Sequence, residues 1–140
     1  MTPENAKSKV LELLSEVNRH GIDKVIEFMN SSNYFTTARC YGHHRCMYGL
    51  MMHSLEGFDA MLKNNIFNLS RESIIVVALF HDLGKATLNG RKIGSGNHCS
   101  RSIAILDKCG FKLEESESSA IYNHHPGKNM VKMFGAVSNP

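Results

Sequence analysis

Residues able to bind a metal ion or move a proton recur from position 53 onward: His53, the adjacent pair His81-Asp82, Lys85, His98, and the pair His124-His125. An imidazole beside a carboxylate offers one nitrogen and one hard oxygen ligand from a single element. Both groups are costly to bury unless they are paired or bind a metal. The separations are too long for a zinc finger, whose ligands come in close pairs. They suit a site where several helices converge and each supplies one or two ligands. Asp82 has two carboxylate oxygens and can bridge two ions. The centre so formed would polarise a phosphoryl oxygen and make hydroxide available near neutral pH. Lys85, one turn after Asp82, is close enough to meet charge developing on a phosphoryl group. His125, Arg45, Arg91 and Lys92 are further candidates for holding phosphate.

The element that must position the central pair is residues 73–85, reading SIIVVALFHDLGK. Residues 74–80 are apolar at every position, so a helix over 70–82 is buried all round. Ser70 is its N-cap, and Glu72 lies in the first turn where the helix dipole favours a carboxylate. Before it, Thr2-Pro3 opens a first helix with Val10, Leu13, Leu14 and Val17 on one stripe, stopped by Gly21. A second, short helix turns Val25, Ile26 and Met29 inward. Residues 30–48 read as mostly irregular. A third helix over 50–64 has Leu50, Met51, Ser54, Leu55, Phe58, Met61 and Leu62 on a broad inward face, with His53 on or beside it. Residues 86–96 read as a basic, glycine-containing loop. The fifth helix spans 97–109 with Gly110 as its stop. The sixth spans 116–124, acidic at its start through Glu117 and ended by Pro126-Gly127. Met130, Val131, Met133 and Phe134 supply a last turn of helix in the tail. No strand-like alternation is found, and the expected fold is an all-α bundle of about six helices in one domain over 1–140.

The 140 residues carry a net charge of +3 with 42% hydrophobic content, as in an ordinary globular domain. No apolar run approaches the roughly 20 residues that span a bilayer, so no membrane partner is expected. The opening residues, MTPENAKSK, lack a signal peptide's apolar core, and the four cysteines form no CxxC pair. A cytoplasmic protein with reduced thiols is the expectation. No dense Lys/Arg block or basic recognition helix is found, which argues against a nucleic-acid surface.

His53 followed by His81-Asp82 in the form HDLGK resembles the HD-domain metal-dependent phosphohydrolase superfamily. GLMMHSLEGF resembles the family's first-histidine helix, and ESIIVVALFHDLGK its second-ligand helix. His98 with Ser102-Ile103 and Ile105-Leu106 resembles the third-histidine helix of a two-metal subgroup. Residues 120–124, AIYNH, resemble that subgroup's next histidine. The resemblance implies an all-helical hydrolase of phosphate esters or anhydrides, most often of nucleotides, acting by attack of metal-bound hydroxide. By position, His53, His81 and Asp82 would be metal ligands, and His98 and His124 would serve a second ion bridged by Asp82. Lys85 would help hold the scissile phosphate. Apart from the resemblance, a histidine such as His125 is the expected proton donor to the leaving group, and His125 is also the alternative to His124 as ligand. His43 matches a frequent histidine of close relatives and would line the pocket. The cofactor would be one or two divalent ions: Mn, Fe, Co, Ni, Zn or Mg. The partner would be a small phosphorylated substrate, with self-association also implied.

One departure stands out. The family usually supplies a further aspartate well downstream, and the only aspartate after Asp82 is Asp107, which reads as a surface residue beside Lys108. Either the ligand set is incomplete, or water, His125, a substrate oxygen or a neighbouring subunit fills the position. The departure supports a rival expectation, a degenerate module that binds metal and nucleotide as a sensor. Blander assignments also exist. His81-Asp82 could be a helix-end ion pair, His98 a helix cap and Lys85 a solvated lysine. Arg91-Lys92 could be a solvated loop or a phosphate-gripping flap. Cys40, His43 and Cys46 form a C-x2-H-x2-C cluster that lacks the fourth ligand of a closed zinc site.

Overall fold

The computed structural model describes residues 1–38, 48–65 and 68–123. In chain order these form α1 (Pro3–Leu14), α2 (Ile22–Ser31), α3 (Gly49–Asn64) and α4 (Arg71–Phe80). A 3-10 turn (Leu83–Lys85) and a hairpin of β1 (Thr87–Leu88) and β2 (Arg91–Lys92) follow. The last helices are α5 (His98–Lys108) and α6 (Glu115–Tyr122). The protein is predominantly α-helical, as its apolar spacing predicts.

Helix α4 is the central element. Every residue from Ser73 to Phe80 is buried, so no solvent-facing stripe exists to break the apolar run. Ser70 caps its start by accepting the Ser73 N–H at 3.1 Å. α3 packs along α4, α1 packs on both, and α6 covers α4 from another side. The Phe80 ring meets Phe111 edge-on at 5.6 Å. α5 packs against the 3-10 turn that continues α4.

Several boundaries differ from the sequence expectation. α1 ends at Leu14, and Gly21 serves as the N-cap of α2 instead. Its φ of +91° favours glycine, and a Cβ there would stand 2.7 Å from the Cys109 carbonyl oxygen. The chain crosses α5's end too closely there for any side chain. Val17 is still buried beyond α1, so the stripe predicted burial but not helix length. Leu62 is 44% exposed rather than inward. α4 ends at Phe80, which leaves His81 as its C-cap and Asp82 beyond the helix.

The basic loop is in part a hairpin, with Thr87 opposite Lys92 and Leu88 opposite Arg91. Asn89 and Gly90 both have positive φ, 51° and 79°. This is the Asn-Gly pair that closes a two-residue hairpin, a signal that alternation over so short a stretch could not supply. The expected helix end at Pro126-Gly127, the tail helix and the Cys40–His43–Cys46 cluster lie outside the described residues.

Candidate metal centre

Three elements converge on the Asp82 carboxylate. α3 brings His53, the C-terminal end of α4 brings His81, and the first turn of α5 brings His98. His53 Nε2 lies 3.5 Å from Asp82 Oδ2, His81 Nε2 lies 3.3 Å from the same oxygen, and His98 Nε2 lies 3.4 Å from Oδ1. The Lys85 ammonium lies 3.4 Å from Oδ2. His53, His81 and Asp82 are all buried.

The imidazole of His81 is oriented by backbone. Its Nδ1 lies 2.8 Å from the Ala78 carbonyl oxygen and 3.2 Å from that of Val77. A carbonyl only accepts, so Nδ1 carries a proton, which leaves Nε2 as the ring atom that faces Asp82. This is the arrangement that holds a ligating histidine in the required tautomer. A lone pair facing a carboxylate oxygen calls for positive charge between them, as a proton or a metal ion.

The donor set fits a metal. One donor atom from each of His53, His81 and Asp82 lies within 4.8 Å of the others. Two ligands at about 2.0–2.1 Å from one ion, with near-tetrahedral angles, stand about 3.3–3.4 Å apart. The observed 3.3–3.5 Å between nitrogen and oxygen matches that spacing. It exceeds the roughly 2.7–2.9 Å of a charge-assisted hydrogen bond. Two imidazoles and a carboxylate suit Mn, Fe, Co, Ni or Zn better than a hard ion bound through oxygens alone. His98 faces the other oxygen, Oδ1, at 3.4 Å.

Residues outside the donor set hold this convergence. Gly84, between the His81-Asp82 pair and Lys85, lets α5 approach the turn. A Cβ there would drive into the His98 carbonyl oxygen and stand 2.8 Å from the Ser102 nitrogen. The Ser102 hydroxyl accepts the Gly84 N–H at 2.8 Å, and the Arg101 Nε donates to the Gly84 carbonyl at 3.1 Å. Tyr34 lies buried between α3 and α4, its hydroxyl 2.9 Å from both Ser54 Oγ and the Leu79 carbonyl oxygen. Burial, joined by the charge of Asp82, pushes its phenol well above the usual range despite the Ser54 hydrogen bond. Asn33 ties the chain after α2 to the hairpin. Its side-chain oxygen accepts the Thr87 N–H at 2.7 Å, and its own N–H donates to the Thr87 carbonyl at 3.1 Å.

The sequence singled out no role for Tyr34, Asn33 or Ser102. Ser102 alone had a readable signal, because it stands four residues after His98 on the same helix face. The structure brings together His53, His81, Asp82, Lys85 and His98. Arg91 and Lys92 lie exposed on β2. Asp107 is exposed on α5, as its neighbours predict. His43, Arg45, His124 and His125 lie outside the described residues. Among the described residues, no helix is long and apolar enough to cross a membrane.

The chain was compared with protein-family models, curated proteins and solved structures, and none matches it.

Proposed function

We propose that this protein is a metal-dependent phosphohydrolase that cleaves a phosphoester or phosphoanhydride bond of a nucleotide or other small phosphorylated metabolite. The observation that carries the proposal is the convergence of the His53, His81 and Asp82 donors within 4.8 Å, with the Lys85 ammonium 3.4 Å from the same carboxylate. A bound divalent ion would polarise the phosphoryl oxygen and make hydroxide available near neutral pH. His53 and His81 would hold the ion from buried positions through ring nitrogens. Asp82 supplies the anionic ligand, and His98 extends the set on its second oxygen. Lys85 places a positive charge beside the ion, where it can meet a phosphoryl oxygen as charge develops. On sequence alone, His124 is assigned to the second ion and His125 to protonation of the leaving oxygen. His43, Arg45, Arg91 and Lys92 are assigned to phosphate binding on the same basis. The resemblance of HDLGK and its flanking helices to the HD-domain superfamily supports this assignment, as does the helical fold. A small substrate in the cytoplasm, and self-association, belong to the same proposal.

A second function has a specific observation in its favour: a metal- and nucleotide-binding sensor without turnover. The family usually supplies a further downstream aspartate, and Asp107, the one aspartate after Asp82 in this sequence, is exposed on α5.

The discriminating experiment is a hydrolysis screen on chelator-stripped protein. Mn, Fe, Co, Ni, Zn and Mg would be crossed with a nucleotide panel, following released phosphate, with Asp82→Ala as control. Turnover that requires metal and disappears in Asp82→Ala is expected. Metal uptake without any turnover would favour the sensor. No uptake of any metal would overturn both.

A further inference from the structure

We propose that the Ser102 hydroxyl is a positioning group for the metal centre, holding the His98 end of α5 in register with the turn that carries Asp82. This rests on the metal-centre proposal above and assigns a role to a residue outside the donor set.

Ser102 is fully buried. Its oxygen accepts the Gly84 N–H at 2.8 Å, and lies 2.8 Å from the His98 carbonyl oxygen and 3.1 Å from that of His81. One hydroxyl has one proton, so it donates to one of these carbonyls at a time while accepting from Gly84. Three backbone groups therefore meet at one side chain. Two belong to residues whose imidazoles face Asp82 from different oxygens, and the third to the glycine between Asp82 and Lys85. A further polar tie between α5 and the turn comes from Arg101, which donates from Nε to the Gly84 carbonyl and from Nη1 to that of Gly96. Its two side-chain hydrogen bonds go to glycine carbonyls, not to the His81 or His98 backbone. Removing the Ser102 hydroxyl leaves a buried N–H without its acceptor. It also removes the link that fixes the His98 backbone relative to the His81 backbone. Ser102 touches no donor atom, and the His81 ring is held separately by the Val77 and Ala78 carbonyls, so the effect of the hydroxyl on the metal passes through the placement of His98 on α5.

The test is a titration of chelator-stripped protein with Zn²⁺ and Mn²⁺, monitored by calorimetry. It compares wild type, Ser102→Ala, His98→Ala, the double variant and Ser73→Ala. Ser73→Ala is the control for losing a buried hydroxyl, because Ser73 lies at the other end of α4 and bonds Glu117. Ser102→Ala is expected to weaken binding about 10- to 100-fold, the usual cost of losing a group that orients a ligand. The double variant should bind no worse than His98→Ala alone, and Ser102→Thr, which keeps the hydroxyl, should recover affinity. Ser73→Ala should lose thermal stability yet bind as wild type. If Ser102→Ala does not fold, Ser102→Cys, similar in volume with a weaker hydrogen bond, carries the same expectation in reduced size. Wild-type affinity in the folded variant, or additive losses in the double variant, would overturn the role of Ser102 while leaving the metal centre intact. Wild type that takes up neither ion would overturn the metal centre, and this role with it.

Discussion

The Lys85 ammonium lies 3.4 Å from Asp82 Oδ2, the same oxygen that His53 and His81 face. Lysine after a helix end is ordinarily solvated, but this side chain is only 11% exposed. The 3-10 turn of Leu83–Lys85 folds it back over the carboxylate. A cation in that position opposes a metal ion and attracts a phosphoryl group. Lys85→Gln should therefore lower kcat by about 10²–10³-fold, the scale of losing one charge-stabilising donor. Metal affinity should stay level or rise as a neighbouring positive charge disappears. Steady-state kinetics and metal titration on the same preparation separate the two effects. A parallel fall in metal affinity would mean that Lys85 serves to hold Asp82 in place.

In the proposed metal centre, Asp82 links stability to metal uptake. A carboxylate at 1% exposure costs several kcal/mol to desolvate unless its partners compensate. An ion that binds only the folded state stabilises it by about 2.7 kcal/mol at a hundredfold excess over Kd. For a chain of this length that corresponds to a rise in Tm of roughly 8 °C. The shift should appear when metal is restored to stripped wild type and vanish in Asp82→Ala. Differential scanning calorimetry with and without Zn²⁺ measures it. An undiminished shift in Asp82→Ala would place the metal elsewhere.

What the sequence made legible follows from local causes. The apolar run 74–80, the Ser70 cap and the helical spacing of Val10, Leu13 and Leu14 are decided within a few residues, and the structure follows them. The burial of His53 followed from its place on the inner face of α3. The supports of the site are long-range. Tyr34 reaches Leu79 across 45 positions, and Asn33 reaches Thr87 across 54. No periodicity encodes such pairings. The hairpin at Asn89-Gly90 was missed because its strands are two residues long, too short for alternation to register.

Glu117 illustrates the same limit and carries a pH dependence. The sequence reads Glu117 only as acidity at the start of the sixth helix, yet its side chain is fully buried. Arg19 donates to both of its oxygens at 2.6 Å, Ser73 donates at 2.6 Å, and the Glu114 N–H donates at 2.9 Å. Burial alone would raise its pKa, but these hydrogen bonds and the Arg19 charge outweigh burial and hold it below the usual carboxylate value. A carboxyl depressed in the folded state contributes stability that is fully present above its unfolded pKa, about 4.5. That contribution is lost as pH falls through the folded value. Wild type should therefore lose stability as pH drops below about 4.5. Glu117→Gln should flatten that part of the profile. It should also cost about 3 kcal/mol at pH 7, because Arg19 loses its bidentate partner. Urea unfolding at pH 7 and across pH 3–5 checks both, and an unchanged acid limb would discount Glu117 as its source.

Gly84 sets how closely α5 can approach Asp82. Its backbone needs no unusual φ, so its role is space alone: any Cβ meets the His98 carbonyl and the Ser102 nitrogen. Neither is the end of a flexible side chain, so relief requires α5 to move as a unit. Gly84→Ala should cost about 1–3 kcal/mol, the range for overpacking a well-filled interior. The displacement would carry His98 Nε2 away from its 3.4 Å station at Asp82 Oδ1 while leaving His53 and His81 in place. Metal binding should then weaken to the level of His98→Ala and no further. Chemical denaturation gives the first quantity and metal titration the second. A Gly84→Ala protein with wild-type stability and metal affinity would show that α5 and the turn are not in the close contact described.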